Sequence, residues 1–464
     1  MHLISFVVHS TAWVLLTFSA FSKPAGCPTS APDAEQLRRE FDRIIANDYR
    51  TNEPGGVVLV ARKGDIIYQR AFGMANLELE VPMQMDMVFN IGSVTKQFTA
   101  VAVLRLVAQG KLALADTVGK FLPDFPETLR GITVEQLLTH TAGVPNAKSI
   151  SSLLALERGW LSAQQVTDTF KDQPLDFAPG SAFSYSNSGY QLLGYILEKV
   201  TGWPFAEYMD EHIIRPAGMI HSLYGNDMKI VKHRASSYLY ARRGIENAAN
   251  SNVQIAYAAG ALQSTAEDLF KWYQALLSGT FIHKELQQAW TRGKLNDGSQ
   301  TDYGYGWFVG ALQGSPSVEH GGNMGGFMCH AIYLPKDDVL VIALFNFRGK
   351  LPELLTTDLA AITIGKPLNI RPVILADDLI SSYLGDYADL RNVLWKVGKE
   401  NGNLFVQKTG GRKWAVFPYA KDKVYFENAA TLGEFERDAA GILRMVMHTR
   451  TGLSRNELQK VNYR

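Results

Sequence analysis

The sequence predicts an α+β fold in which one antiparallel sheet is assembled from both ends of a domain, with a small all-β domain after it. Three observations carry this. Two β-rich runs, 57–61 and 66–68, are joined by Lys63-Gly64-Asp65, the signature of an antiparallel hairpin early in the chain. The middle of the chain has helical periodicity, and from Gly304 the texture turns to strand. Beyond a break at Gly365-Lys366-Pro367 to Pro372, short aromatic and β-branched runs recur between turn residues, which suggests a small barrel or sandwich. At 464 residues the chain is too long for one ordinary domain.

In order, residues 34–49 place Leu37, Phe41, Ile44 and Ile45 on one side of a helix. The hairpin follows. After Gly92, the spacing of Phe98, Val101, Ala102, Leu104, Leu106 and Val107 predicts a buried helix from near Ser93 to about Gly110. Residues 132–140 predict a short helix capped at Thr133. Further helical patterns cover 192–200, 205–214 and 266–277, the last with Ser264 and Thr265 as cap candidates. Strand candidates are 306–309, 328–334 and 339–345, with a hairpin turn at 335–338. The last of these is apolar throughout, as expected of a strand covered on both faces. A helix follows near 353–362, and the C-terminal strand candidates are 393–397, 404–407, 414–417, 424–426, 432–435 and 443–447. The chain thus divides into 1–22, 30–366 and 373–464.

With 46 basic and 45 acidic residues, nothing favours nucleic acid or an anionic membrane surface as a partner. The two cysteines, Cys27 and Cys329, form no disulfide framework and have no metal-ligand spacing. An oxidising compartment would allow them to pair. Residues 3–21 are apolar and almost uncharged, and Ala20-Phe21-Ser22 offers small residues where signal peptidase cuts. The expectation is an exported protein, periplasmic or secreted, with an uncleaved N-terminal membrane anchor as the alternative because the positive leader region is weak. Pro24-Ala25-Gly26-Cys27 is only faintly like a lipoprotein box, since Pro24 stands where a Leu-like residue is wanted.

Three short motifs carry chemistry. In Ser93-Val94-Thr95-Lys96, residues i and i+3 share one helix face, so Lys96 stands beside Ser93 in the first turn. An adjacent amine activates a serine hydroxyl by taking its proton, and the helix start favours an anion there. In Tyr185-Ser186-Asn187, extended or loop backbone projects Tyr185 and Asn187 to the same side. A phenol near an ammonium group has its pKa lowered and can shuttle a proton, and an Asn amide can bond both a lysine and a substrate carbonyl. In His320-Gly321-Gly322-Asn323, paired glycines at a strand edge let a carbonyl come close to backbone N–H donors. Each motif alone also fits a plain cap or turn.

Together and in this order, the three motifs resemble the serine β-lactamase and penicillin-binding protein superfamily. The likeness is to the branch holding class C β-lactamases, D-alanyl-D-alanine carboxypeptidases, D-aminopeptidases and family VIII esterases. It spans residues 35–364 and includes Leu138-Thr139-His140-Thr141-Ala142-Gly143, 179–187 and 259–265. The resemblance implies an antiparallel sheet flanked by helices with an all-helical insertion, and no metal or cofactor. It implies Ser93 as acylated nucleophile, Lys96 as its partner, and Tyr185 as general base and then general acid. Which of Lys96 and Tyr185 takes the first proton stays open. Asn187 would position Lys96 and substrate, His320, Gly321 and Gly322 would position substrate, and the N–H groups of Ser93 and Asn323 would form the oxyanion hole.

His320 replaces the family's lysine, which makes the site less permanently positive and open to pH. Gly321 lacks the hydroxyl that often binds a substrate carboxylate there, which leans the expectation to a small amide, peptide or ester over a β-lactam. A β-lactamase or D-alanyl-D-alanine carboxypeptidase is the second reading, and a catalytically silent binding or scaffold protein the third. Lys408-Thr409-Gly410 spells a penicillin-binding motif but reads as a hairpin turn. The C-terminal domain resembles the lipocalin-like barrels of some D-aminopeptidases, which either approach the active site or serve as structural modules. The oligomeric state is left open.

Overall fold

The computed structural model describes residues 33–147, 161–225, 229–241, 243–248, 253–427 and 429–461. The apolar N-terminal segment 1–22 and Cys27 lie outside the described residues. Among the described residues no helix is long and apolar enough to cross a membrane.

Helix α1 (Ala34–Asp48) buries Leu37, Phe41 and Ile45. Strands β1 (Gly56–Arg62) and β2 (Asp65–Phe72) form the expected hairpin, with Lys63 and Gly64 at positive φ in its turn. A 3-10 turn, Gly92–Val94, opens α2 (Thr95–Ala108), which is buried on almost every side. Helices α3 (Asn187–Thr201) and α4 (Ala266–Leu277) follow, α4 capped by the Thr265 hydroxyl as anticipated. The short helix Val134–Leu138 has a full capping box between Thr133 and Gln136. Four short strands of this middle region enter two small three-stranded sheets, one completed by Phe89–Asn90 and the other by Phe347–Arg348, so the helical insertion carries strands of its own.

Strands β3 (Phe308–Leu312), β4 (Ser315–Met324), β5 (Phe327–Leu334) and β6 (Val339–Phe345) lead into helix α5 (Pro352–Thr363). They join the N-terminal hairpin in one antiparallel sheet ordered β3-β4-β5-β6-β1-β2. Strand β6, paired with β1 and β5 and buried at every residue, sits in the sheet's middle, which accounts for its unbroken apolar run. One face packs α1 and α5 through Phe41, Leu355 and Leu359, and the other packs α2, α4 and the helical region.

The sequence did not suggest β4. Its His-Gly-Gly centre looks like a turn, but the turn comes later, at Gly325 and Gly326, both at positive φ. Gly322 is in the strand for a packing reason: a Cβ there would stand 2.0 Å from the Ile91 carbonyl oxygen.

The C-terminal strands are β7 (Gly385–Ala388), β8 (Leu394–Glu400), β9 (Asn403–Lys408), β10 (Lys413–Ala420), β11 (Lys423–Phe426), β12 (Thr431–Arg437), β13 (Leu443–Thr449) and β14 (Asn456–Lys460). They close into a barrel of neighbouring antiparallel strands. Strands β7 and β14, which close it, have no strong apolar alternation and were not anticipated. Tyr383 of the helix Asp377–Tyr383 stacks on Phe435 at 4.2 Å and donates to Asp422. Lys408-Thr409-Gly410 lies at the β9–β10 turn, with Gly410 at φ 72°.

The β13–β14 turn docks on the domain that carries the six-stranded sheet. Arg450 donates to Asp358 Oδ1 (2.7 Å) and Leu354 O (3.1 Å) of α5. The Ala311 N–H on edge strand β3 donates to Thr451 O (2.9 Å), and the Ser454 N–H donates to Asp302 (2.9 Å). This covers an edge that would otherwise present open backbone groups. Gly310 allows the approach, since a Cβ there would meet Thr451 O at 2.6 Å and Leu453 Cδ2 at 3.0 Å. Gly310→Val should therefore lift the turn. Hydrogen exchange should then speed up over residues 449–454 and stay unchanged in the buried helix α2.

Candidate active site

Ser93 sits half-buried in the 3-10 turn before α2, and Lys96 follows one turn on with its side chain fully buried. Lys96 Nζ lies 3.2 Å from Ser93 Oγ, 2.8 Å from Asn187 Oδ1 and 2.9 Å from Ala259 O. It faces the Tyr185 ring at 4.7 Å. The four residues singled out from the first two motifs thus meet at one point, contributed by two separate stretches of chain, with Ala259 O from a third.

Burial pulls the Lys96 pKa well below its ordinary value. A neutral amine has two N–H donors and one lone pair. In the neutral form that burial favours, Asn187 Oδ1 and Ala259 O take both donors and the lone pair is left for the Ser93 hydroxyl, 3.2 Å away. Burial acts the opposite way on Tyr185 and raises its pKa, with the nearby Ser93 hydroxyl tempering the rise. The Tyr185 hydroxyl is shielded and has no well-formed hydrogen bond among the described residues. The sequence led us to expect a phenol acidified by a neighbouring ammonium. The structure corrects the direction: burial raises the Tyr185 pKa and lowers that of Lys96.

Asn187 is the first residue of α3 and does not lie in extended chain, because the Ser186 hydroxyl caps the helix by accepting from Gly189 N. Two residues that the motif search passed over brace this segment. Asn146 accepts from the Asn187 N–H (2.7 Å) and donates to Tyr185 O (3.0 Å). His140 Nδ1 accepts from the Ser186 N–H (3.1 Å), and its ring packs on Tyr185 at 4.3 Å. His140 stands in the stretch that carried the resemblance, but only its positive φ of 58° and its burial reveal the bracing role.

The third motif borders the same site from β4. Gly92 packs so close that a Cβ there would stand 2.7 Å from Asn323 N, which brings that N–H beside the turn bearing Ser93. His320 is buried, and burial pulls its pKa down to about 3. Its Nδ1–H donates to Gly321 O (2.6 Å), so Nε2 accepts from the Tyr303 hydroxyl (2.9 Å). At neutral pH the ring is uncharged and fixed, so the pH-dependent charge expected of it falls far below the neutral range. Cys329 is a free, buried thiol that donates to Ile91 O.

A cavity of about 430 Å³ opens onto Ser93 and Tyr185. Its wall includes Phe308, His320, Gly321 and Asn323, and also Thr449, Leu453 and Ser454 from the barrel. The described lining contains two glutamates, Glu319 and Glu353, and no lysine or arginine. No group of metal-ligating side chains occurs among the described residues.

A family model described as Beta-lactamase matches residues 40–363. Penicillin-binding protein 4* of Bacillus subtilis (strain 168) is 28% identical over 439 residues, spanning 86% of this chain and 94% of that protein. The octameric penicillin-binding protein homologue from Pyrococcus abyssi superposes with a TM-score of 0.64 at 24% identity, over 92% of this chain and 100% of the other. A D-stereospecific amidohydrolase from Streptomyces sp. gives a TM-score of 0.55 at 26% identity, over 68% of this chain and 94% of the other.

Gly322→Ala should push β4 away from the Ser93 turn, since its Cβ would also stand 2.6 Å from Cys329 Sγ. Loss of an aligned oxyanion donor lowers acylation by about 100-fold or more. Stopped-flow acylation by an activated ester, with circular dichroism to check the fold, measures this.

Proposed function

The chain belongs to the beta-lactamase family, and on that premise we propose that it is an exported serine hydrolase that cleaves a small amide, peptide or ester through an acyl-enzyme on Ser93. The observation that carries this is the buried Lys96 amine, tied to Asn187 and Ala259 with its remaining valence on Ser93 Oγ. Ser93 Oγ adds to the substrate carbonyl carbon as its proton passes to Lys96 Nζ. The N–H groups of Ser93 and Asn323 hold the oxyanion. The bond to the leaving group then breaks. Tyr185 gives its proton to that group and regains one from the Lys96 ammonium. Water enters, passes a proton back along the same groups, and releases the acid and free Ser93. Export rests on the apolar segment 3–21 followed by small residues.

Substrate class follows from charge. The third motif offers a neutral imidazole and a bare glycine, and the described cavity lining has no lysine or arginine to hold a carboxylate. This favours substrates without a free carboxylate beside the scissile bond, and the likeness to the D-stereospecific amidohydrolase from Streptomyces sp. favours an amide of D configuration. The likeness to penicillin-binding protein 4* favours the second reading, a β-lactamase or D-alanyl-D-alanine carboxypeptidase.

A panel of nitrocefin, short-chain p-nitrophenyl esters and D- and L-aminoacyl p-nitroanilides separates these readings. Wild type should turn over an ester or anilide and leave nitrocefin nearly untouched, and Ser93→Ala should lose both turnover and fluorophosphonate labelling. Labelling that survives in Ser93→Ala sinks the proposal, and inertness of the wild type towards the whole panel supports a silent binding protein. Acylation should rise with pH through the depressed Lys96 pKa, because only the neutral amine accepts the Ser93 proton. That acid limb should lie well below the ordinary lysine range in a pH profile of kcat/KM.

A further inference from the structure

The cavity has a second end whose chemistry the hydrolytic machinery does not use. Glu319 lies on β4, paired with Phe308 on one side and Ile332 on the other. Alternation along the strand puts Glu319, Gly321 and Asn323 on one face. Four residues of extended chain place Glu319 about 13 Å along the strand from the Asn323 N–H. Gly321 lies between them, and a Cβ there would meet only Cys329 O (3.5 Å) and His330 Cδ2 (3.6 Å), both ordinary contacts. The missing side chain keeps the path along this face open.

Glu319 is 3% exposed. Its Oε1 accepts from the Thr451 hydroxyl of the barrel turn (2.7 Å), and its Oε2 has no partner among the described residues. Glu353 lines the same end of the cavity. Arg450, the cation near Glu353, hydrogen-bonds Asp358, and His330 is held neutral by burial and bonds Thr356. Two carboxyl groups therefore face one cavity whose described lining has no cation. Burial pushes the Glu319 carboxyl up to about 8, with the charge of Glu353 adding to the rise. A buried carboxyl in this state lacks a cationic hydrogen-bond donor, and a protonated amine is the small group that supplies one.

We propose that Glu319, with Glu353 beside it, forms a subsite for a protonated amine on the substrate, set well away from the bond cleaved at Ser93 and walled on its outer side by the Thr449–Ser454 turn of the barrel. This rests on the hydrolase reading and deepens it: the substrate carries a distal ammonium group along β4. The amine binds either as ammonium to the carboxylate or as free amine to the acid, with one proton shared. No covalent step is involved.

The test uses matched pairs on the full-length protein. On the acyl side, aminohexanoyl and hexanoyl p-nitrophenyl esters are compared. On the leaving-group side, the acetyl esters of aminohexanol and hexanol are compared. In one of the two arms the ammonium member should exceed its neutral partner in kcat/KM by about tenfold or more. That ratio should fall below about threefold in Glu319→Gln. It should fall likewise in Gly321→Val, which blocks the path without touching charge. Ratios near one in both arms, with the neutral esters hydrolysed, overturn the subsite and leave the hydrolase reading intact. A ratio that persists in Glu319→Gln also overturns it. If the neutral esters are not hydrolysed, the hydrolase reading fails by itself. Titration calorimetry with hexylammonium against hexanol then decides the subsite: binding that is selective for the ammonium and lost in Glu319→Gln upholds it, and equal or absent binding overturns it.

Discussion

The structure depends on one buried amine. Lys96 enters the first turn of a helix whose other side chains fill the core, and among the described residues no carboxylate pairs with it. In water such a lysine is an ammonium ion, whereas here desolvation favours the free base. Two neutral acceptors, Asn187 Oδ1 and Ala259 O, fix it. Neither is strong enough to restore the proton, yet together they leave its lone pair one direction to point. The same burial raises Tyr185, so the two groups shift in opposite directions.

Holding that arrangement needs close backbone packing, and glycines provide it. Gly92 and Gly322 let the Ser93 turn and strand β4 approach to a distance that no side chain would permit. Gly310 does the same for the barrel turn against the edge of the sheet. The barrel is thereby part of the cavity wall: Leu453 and Ser454 line it, and Thr451 bonds Glu319, the residue just before His320. Of the two roles that the sequence left open for the C-terminal domain, the geometry favours the one next to the chemistry.

Much of the fold was legible in the sequence because its signals are local. The hairpin turn at Lys63 and Gly64, the Thr265 cap and the uninterrupted apolar run of β6 each announce their structure within a few residues. Strand β4 was not legible, because its Gly322 answers to a contact with the Ile91 carbonyl, which is distant in sequence. The short closing strands β7 and β14 gain their place from barrel closure and not from their own pattern. At the site, Ser93, Lys96, Tyr185 and Asn187 were named from spacing, and the structure brings them together. The bracing by Asn146 and His140, and the direction of the Tyr185 shift, depend on burial and orientation that a linear pattern does not carry.

The account stands or falls on the protonation state of Lys96. Nitrogen-15 labelling of lysine side chains and an NMR pH titration of the resting protein would read it directly, with Lys96→Arg identifying the resonance. A Lys96 Nζ signal with the shift of a neutral amine at neutral pH, titrating well below the other lysines, is the predicted result. A Lys96 resonance that stays an ammonium at neutral pH and titrates with the surface lysines would contradict it.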